Sequence, residues 1–356
     1  MPGHRRTALP LLPLIALLLL ALVVADSPAP VERRPVPDTR PRAVVGLGDS
    51  TIAGEGAGDY APGTRGADGN FCHRSADSLI YQLELPGVTE RINLACSGAH
   101  ADDIGFARFQ RTPGSAQAAR LREVALRYRV QAVVVAIGAN DDPRFADTML
   151  RCIQAWARRS DPPCSAALAP QWPQRLDAMA PKVAGALADI RAAMRRAGYA
   201  DGEYTLVLQS YPSPLTENID PSLQDLSGCP FRTEDLAWVR TRAVPQLSAA
   251  LREVAEAAGA RFLDLSRAAA GHEACSWPAA PSREWINRLR VDFELLRREE
   301  TGHRALAESF HPNALGYSRI AGCLGEFLRG SRREAACVLG ADGALHPVDL
   351  PSPASG

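Results

Sequence analysis

A buried β-strand is predicted at Val130–Ile137, VQAVVVAI, where β-branched and apolar residues run almost without interruption up to Gly138. A strand that is apolar on both faces is typical of a parallel sheet covered by helices on both sides. Four further apolar runs have a similar character: Ala43–Leu47, Arg91–Ala95, Tyr204–Gln209 and Arg261–Leu265. Together the five runs predict a sheet of five parallel strands.

Amphipathic helical patterns separate these runs. The clearest cover Ala116–Tyr128, Pro173–Ala197 and Thr233–Ala258. Because strands alternate with helices along the chain, we predict an α/β fold with a parallel five-stranded sheet and helices on both faces. Reactive groups in such folds collect beyond the carboxyl ends of the strands.

Four short blocks of polar and small residues lie where this edge of the sheet is predicted. Three follow the first three strands, and the fourth precedes a last predicted helix. They are Gly48-Asp49-Ser50, Ser97-Gly98-Ala99, Gly138-Ala139-Asn140-Asp141 and Ser309-Phe310-His311-Pro312-Asn313. The fold therefore predicts that a serine, a glycine, an asparagine and a histidine come together.

These residue types are the ones that acyl transfer requires. A serine hydroxyl needs a base, and a neutral imidazole is the usual base near neutral pH, so we assign Ser50 as nucleophile and His311 as base. The oxyanion formed on attack requires fixed donors, which the N–H groups of Ser50 and Gly98 and the amide of Asn140 can supply. Read singly, each residue also fits an ordinary turn, loop or helix cap. The remaining histidines are interpreted as surface, loop or structural residues; among them are His73, His272 and His346.

In these blocks the chain resembles the SGNH (GDSL) hydrolase superfamily, whose motifs occur in the same order. The segments Cys72-His73-Arg74-Ser75 and Gly271-His272-Glu273-Ala274-Cys275 are similar to its secreted, disulfide-bridged lipase/esterase branch. The resemblance covers about Val44 to Leu324. It implies a flavodoxin-like three-layer sandwich and a Ser-His acyl-enzyme mechanism that needs no metal and no cofactor.

Glu308 is a departure from the family pattern, which usually has an aspartate three residues before the histidine. A glutamate carboxylate is long enough to orient His311 through its second ring nitrogen. In some members of the branch a main-chain carbonyl at this position does so instead. We predict Glu308 as the third catalytic residue and leave open which of its oxygens acts.

The N-terminus has the layout of an export signal. Residues 1–25 combine a basic start with the apolar run Ala8–Val24 and a small-residue cleavage site, which predicts a signal peptide; an uncleaved signal anchor stays open. Residues 26–41 form a proline-rich linker, 42–339 the hydrolase domain and 340–356 a loose tail. The expected location is extracellular, and membrane contact is expected only through an uncleaved N-terminal segment.

Eight cysteines follow this signal, and an even number in an exported chain indicates disulfides rather than free thiols. Short loops favour four pairs: Cys72–Cys96, Cys152–Cys164, Cys229–Cys275 and Cys323–Cys337. The family resemblance implies the first three and not the fourth. No C-x-x-C pair occurs, so a zinc site is not expected.

The charge balance limits the partners. Forty basic and 40 acidic residues give no net charge, which argues against nucleic-acid binding. We predict a secreted serine esterase or lipase that hydrolyses carboxylic esters of small molecules or lipids. The alternatives are a carbohydrate O-acetyl esterase or acyltransferase with the same site, and a catalytically inactive binding protein of the cell envelope. A metalloenzyme is disfavoured because no ligands cluster in the sequence.

Overall fold

The computed structural model describes residues 38–106, 116–298 and 304–350. The predicted signal peptide, most of the proline-rich linker and the last six residues lie outside this range. All described helices and strands belong to the unit Arg40–Gly356. Within the described residues, no helix combines the length and the apolar character needed to cross a membrane.

The described residues form one sheet of seven strands in the order β2-β1-β3-β4-β5-β6-β7. The strands are β1 Arg42–Gly48, β2 Glu90–Asn93, β3 Arg129–Ala136, β4 Thr205–Gln209, β5 Arg261–Asp264, β6 Glu334–Leu339 and β7 Leu345–Val348. The first six pair in parallel, and β7 is antiparallel to β6. The order of the first five is that of flavodoxin-like folds. The five predicted strands and the fold class are confirmed.

Two strands go beyond the five that were predicted. The sequence of β6 is EAACVL and that of β7 is LHPV, and neither is a long β-branched run. Proline is tolerated in β7 because this strand lies at the edge of the sheet. The ordered sheet therefore continues past Leu339, and the expected loose tail 340–356 begins with a hairpin.

Helices cover both faces of the sheet. The described α-helices are α1 Ser50–Ala53, α2 Leu79–Gln82, α3 Ala101–Ile104, α4 Gln117–Arg127, α5 Phe145–Ala157, α6 Cys164–Leu168, α7 Trp172–Arg196, α8 Thr233–Trp238, α9 Val244–Ala257, α10 Phe293–Arg298 and α11 Ala314–Arg329. A π-helical turn, Val239–Ala243, joins α8 to α9. All three predicted helical regions are present.

Alternate side chains of β3 enter two separate cores. Val133 and Val135 pack with α4, α5, α7 and α9 on one face, whereas Val134 and Ala136 pack with α1, α2 and α11 on the other. All four side chains are buried, which explains why this strand is apolar on both faces. The arrangement is a three-layer α/β sandwich.

Four disulfides join the cysteine pairs favoured by loop length, including Cys323–Cys337. Cys323 lies on α11 and Cys337 on β6, so this bond fixes a helix to the strand that follows it. The bond Cys72–Cys96 joins the two loops that carry His73 and Ser97, next to the candidate site.

Candidate active site

Ser50 is placed by the way the chain leaves β1. Asp49 caps α1, and its carboxylate accepts a hydrogen bond of 3.0 Å from the N–H of Thr51. Gly54 ends the helix in the left-handed conformation, with φ 94°. This single turn of helix puts Ser50 directly beyond the carboxyl end of β1.

His311 reaches the same place from the other end of the chain. It lies just before α11, which Asn313 caps by accepting from the N–H of Gly316. The Nε2 atom of His311 is 2.8 Å from the Oγ atom of Ser50, across 261 positions of sequence. The two residues predicted as base and nucleophile are therefore within hydrogen-bond distance.

The second nitrogen of His311 faces the main chain. Nδ1 lies 3.3 Å from the carbonyl oxygen of Ser309. Burial lowers the pKa of His311 below its usual value, although the charge of Glu55 and the carbonyls of Ser309 and Ala307 act in the opposite direction. The imidazole is consequently favoured in the neutral form that a general base requires.

Glu308 does not occupy the position predicted for it. Its carboxylate accepts a hydrogen bond of 3.0 Å from the Tyr60 hydroxyl and another of 3.2 Å from Arg290. Nδ1 of His311 contacts the carbonyl oxygen of Ser309, one residue later, and not that of Glu308. Ser309 is held there because its hydroxyl binds both main-chain groups of Arg290. Neither oxygen proposed for Glu308 is therefore the one against His311.

The variant Glu308→Gln is expected to keep kcat/KM within about fivefold of wild type, because a partly exposed ion pair contributes about 1 kcal/mol or less. Steady-state kinetics on a p-nitrophenyl ester measures this. A hundredfold loss would show that the carboxylate takes part in catalysis after all.

The two other predicted oxyanion residues line the same cavity as Ser50. Gly98 has φ 77°, and a Cβ atom on it would meet open space, which places its backbone against the cavity. Asn140 also lines the cavity and donates from Nδ2 to the carbonyl of Ala99, at 3.0 Å. An amide nitrogen carries two hydrogens, so Asn140 retains one for a second acceptor.

Tyr211, which the sequence analysis missed, connects the loops that follow β1 and β3. Its hydroxyl donates to Asp49 at 2.5 Å and accepts from the N–H of Ala139 at 3.3 Å. Burial raises the pKa of Asp49 to about 7, although the hydrogen bond from Tyr211 counteracts this. Tyr211 follows β4, so the strand-end rule that selected Ser50 could also have found it.

A buried hydrogen-bonded pair, Glu55 with His73, lies next to the site. The side chain of Glu55 is fully buried, and Nδ1 of His73 is 2.7 Å from its carboxylate. The ring of His73 stacks on Tyr60 with centroids 4.9 Å apart. His73 lies on a loop, as predicted, but its ring is buried and not at the surface. The carboxylate that holds it is 18 positions away in the sequence.

A cavity of about 440 Å³ opens beside Ser50 and His311. Most of its wall is aliphatic or aromatic, and the apolar residues include Phe71, Phe145, Met149, Ile153, Leu247 and Leu289. Ser50, Asn140 and His311 line the same cavity. A ligand in it would therefore meet both the Ser50–His311 pair and a largely apolar wall.

One group of side chains in the described part of the chain has the spacing of metal ligands: Cys152, Cys164 and Asp235. The two sulfur atoms are bonded to each other. Asp235 accepts hydrogen bonds from the N–H groups of Cys164 and Ser165, which satisfies its carboxylate. The group is accounted for as a disulfide and a helix cap.

A serine–histidine pair at the carboxyl edge of a flavodoxin-like sheet defines the class of SGNH-type hydrolases. The model of the GDSL-like Lipase/Acylhydrolase family matches residues 47–319, and the chain belongs to this family. It is a carboxylic ester hydrolase. "Lipase 2" of Streptomyces coelicolor is 27% identical over 324 residues, which cover 90% of this chain and 96% of Lipase 2.

Two solved structures share the fold. The extracellular lipase of Streptomyces rimosus has a TM-score of 0.53 and 22% identity, over 78% of this chain and 95% of the lipase. Phospholipase A1 of Streptomyces albidoflavus NA297 has a TM-score of 0.52 and 21% identity, over 81% of this chain and 96% of that protein. At this identity the likeness concerns the fold alone.

Proposed function

We propose that the chain is a secreted serine esterase or lipase that hydrolyses esters with an apolar acyl chain through an acyl-enzyme. The observation that carries the proposal is the 2.8 Å contact between Ser50 Oγ and His311 Nε2 in the wall of a mostly apolar cavity. A buried neutral imidazole next to an alcohol is the arrangement that activates a serine nucleophile.

In the proposed first half-reaction, Ser50 Oγ attacks the ester carbonyl carbon while His311 Nε2 takes the hydroxyl proton. The carbonyl of Ser309 accepts from Nδ1–H, which fixes the tautomer that leaves Nε2 free to act as base. The N–H groups of Ser50 and Gly98 and the amide of Asn140 receive the oxyanion. His311 then returns the proton to the leaving alcohol oxygen as the C–O bond breaks.

In the second half-reaction, water attacks the acyl-Ser50 carbonyl and gives its proton to His311. Collapse of the tetrahedral intermediate releases the carboxylic acid, and the proton on His311 returns to Ser50 Oγ. Each proton that His311 accepts is handed on, so no other proton carrier is needed. The same residues thus serve both halves of the reaction.

The apolar wall supports a lipid-like acyl group. Burying methylene groups contributes about 0.8 kcal/mol each, so a longer acyl chain is expected to bind more tightly until the cavity is full. A sugar ester would instead require polar groups along the wall. The printed names of Lipase 2 and phospholipase A1 are consistent with this substrate class.

Secretion is proposed from the N-terminus and the cysteines. Four disulfides suit an oxidising compartment, and a signal peptide at residues 1–25 would deliver the chain there. The sequenced N-terminus of the protein recovered from the culture medium tests cleavage.

The test of the activity compares wild type with Ser50→Ala on p-nitrophenyl esters of increasing chain length and on acetylated xylan. We expect the wild-type protein to prefer the longer acyl chains and to react with a fluorophosphonate probe. The Ser50→Ala variant should show neither hydrolysis nor labelling. Preference for acetylated xylan would favour the carbohydrate esterase, and ester formation with added alcohols the acyltransferase. A wild-type protein that is neither labelled nor active would support the alternative of a catalytically inactive binding protein.

The pH dependence follows from the burial of His311. Since its pKa lies below the usual 6.5, the base stays neutral at lower pH, and the acid limb of kcat/KM is expected below pH 6.5. Asp49, with a pKa of about 7, titrates separately, and Asp49→Asn removes its contribution. The measurement is a pH–rate profile of both proteins. An acid limb at pH 7 that persists in Asp49→Asn would contradict the assignment.

A further inference from the structure

Glu55 is a buried charge that the proposed mechanism does not use. Its side chain has no exposed surface, and it follows the one-turn helix α1 that carries Ser50. A buried carboxylate is costly unless hydrogen bonds and opposite charge compensate for it. The contacts of Glu55 therefore indicate what this charge holds in place.

Three side chains surround the carboxylate of Glu55: Tyr60 on the same loop, and His73 and Ser97 on two other segments. His73 Nδ1 lies 2.8 Å from Oε1 and 2.7 Å from Oε2. The Ser97 hydroxyl donates to Oε2 at 2.5 Å, and the Tyr60 hydroxyl, whose proton is closer to Glu308, lies 3.4 Å from Oε1. Both carboxylate oxygens are thus in use as acceptors.

The main chain of Glu55 is fixed relative to the nucleophile. Its N–H donates to the carbonyl of Ser50 at 3.0 Å, and its own carbonyl accepts from the Tyr317 hydroxyl, also at 3.0 Å. Glu55 therefore connects the turn that carries Ser50 to the segment at Ser97.

The segment at Ser97 carries Gly98, the proposed oxyanion donor. The disulfide Cys72–Cys96 and a 3.1 Å hydrogen bond from Ser97 N–H to the carbonyl of Cys72 hold its base. Gly98 itself has φ 77° and faces the cavity. The hydrogen bond between the Ser97 side chain and Glu55 consequently sets the position of Gly98, the next residue.

We propose that Glu55 is a positioning residue for the oxyanion loop, defined as Ser97-Gly98, and holds the N–H of Gly98 at a fixed place relative to Ser50. This inference rests on the proposed function, since it takes Gly98 as an oxyanion donor. Preorganised donors accelerate a reaction because no rearrangement is needed as the charge forms. Glu55 acts on the rate through Ser97 and does not touch the substrate.

The ionisation of Glu55 is consistent with this role. Burial tends to raise the pKa of Glu55, but the hydrogen bonds from His73 and Ser97 lower it below its usual value. The group remains a carboxylate with two acceptor oxygens. A glutamine in its place has one acceptor oxygen and cannot hold both His73 and Ser97 in the same way.

The central experiment is Glu55→Gln. We expect kcat to fall by about 10- to 100-fold while KM stays within about threefold, because the lost contact acts in the transition state. The inhibition constant of a boronic acid that mimics the tetrahedral intermediate should rise by the same factor as kcat/KM falls. If the substitution only loosened the fold, the inhibition constant and kcat/KM would not change by the same factor. Thermal unfolding of each variant measures the stability separately.

A double-mutant cycle with Ser97→Ala tests the route through Ser97. Ser97→Ala alone should lower kcat and weaken the boronic acid, and adding it to Glu55→Gln should cost less than the sum of the two. Glu308→Gln is the matched control, since Glu308 also contacts the Tyr60 hydroxyl but does not reach Ser97.

The outcomes separate the two proposals. Wild-type kcat and boronic acid affinity in Glu55→Gln, or strictly additive effects in the cycle, would overturn the role of Glu55 while leaving an active esterase. If Glu55→Gln does not fold, the Ser97→Ala variant alone tests the proposal. An unchanged kcat in Ser97→Ala would then show that the hydrogen bond from Ser97 to Glu55 does not position Gly98. An inactive wild type would instead refute the proposed function itself.

Discussion

The variant His311→Gln is expected to lower kcat/KM by about four orders of magnitude or more and to abolish labelling of Ser50 by a fluorophosphonate. Glutamine fills a similar space but cannot accept and return a proton at neutral pH. Because Nε2 of His311 lies 2.8 Å from Ser50 Oγ, loss of the imidazole leaves the hydroxyl protonated and weakly nucleophilic. End-point assays at high enzyme concentration measure kcat/KM, and mass spectrometry after incubation with the probe measures the labelling of Ser50.

His346→Gln is the matched control for this experiment. His346 lies on β7, where its ring binds the carboxylates of Glu326 and Asp342, and it does not line the cavity. Its substitution should leave kcat/KM close to wild type. If His311→Gln retained activity within about tenfold of wild type, the base would have to be another group, and the proposed mechanism would fail.

The core of the fold could be predicted because its signals are local. In β3, apolar residues at consecutive positions require burial on both faces, and this places the strand inside a covered parallel sheet. Once that sheet is given, Ser50 and Asn140 must lie near each other because they follow neighbouring strands. The cysteine pairs followed from loop length, since short loops bring their ends together at low entropic cost.

The failures concern features that depend on side-chain direction or on weak strand signals. Glu308 is adjacent in sequence to the segment that orients His311, but the main chain turns its side chain toward Tyr60 and Arg290. Glu55 and His73 lie on separate loops that only the folded chain brings together. The edge strand β7 was predicted to be part of a loose tail because its sequence, LHPV, has few β-branched residues and no clear alternation of polar and apolar residues.

Gly48 is the position where a small substitution is expected to have the largest effect on stability. Its φ is 133°, and a Cβ atom there would lie 1.9 Å from the carbonyl oxygen of Ala136 on β3. That oxygen accepts a hydrogen bond of 3.0 Å from the N–H of Asp49. Both main-chain groups of Gly48 also bind the side chain of Gln117 on α4. The backbone therefore has no room to move away from the clash.

Gly48→Ala is expected to lower the free energy of unfolding by more than about 4 kcal/mol, since it combines a forbidden φ with a backbone clash. Gly198→Ala is the matched control, because Gly198 also has a positive φ, 91°, but an added Cβ atom there would meet open space. Its cost should be about 1–2 kcal/mol, from φ strain alone. Urea unfolding with intact disulfides measures both. Equal losses in the two variants would mean that β1 and β3 can separate at Gly48, and the close approach that places Ser50 at the sheet edge would then not be a fixed feature of the fold.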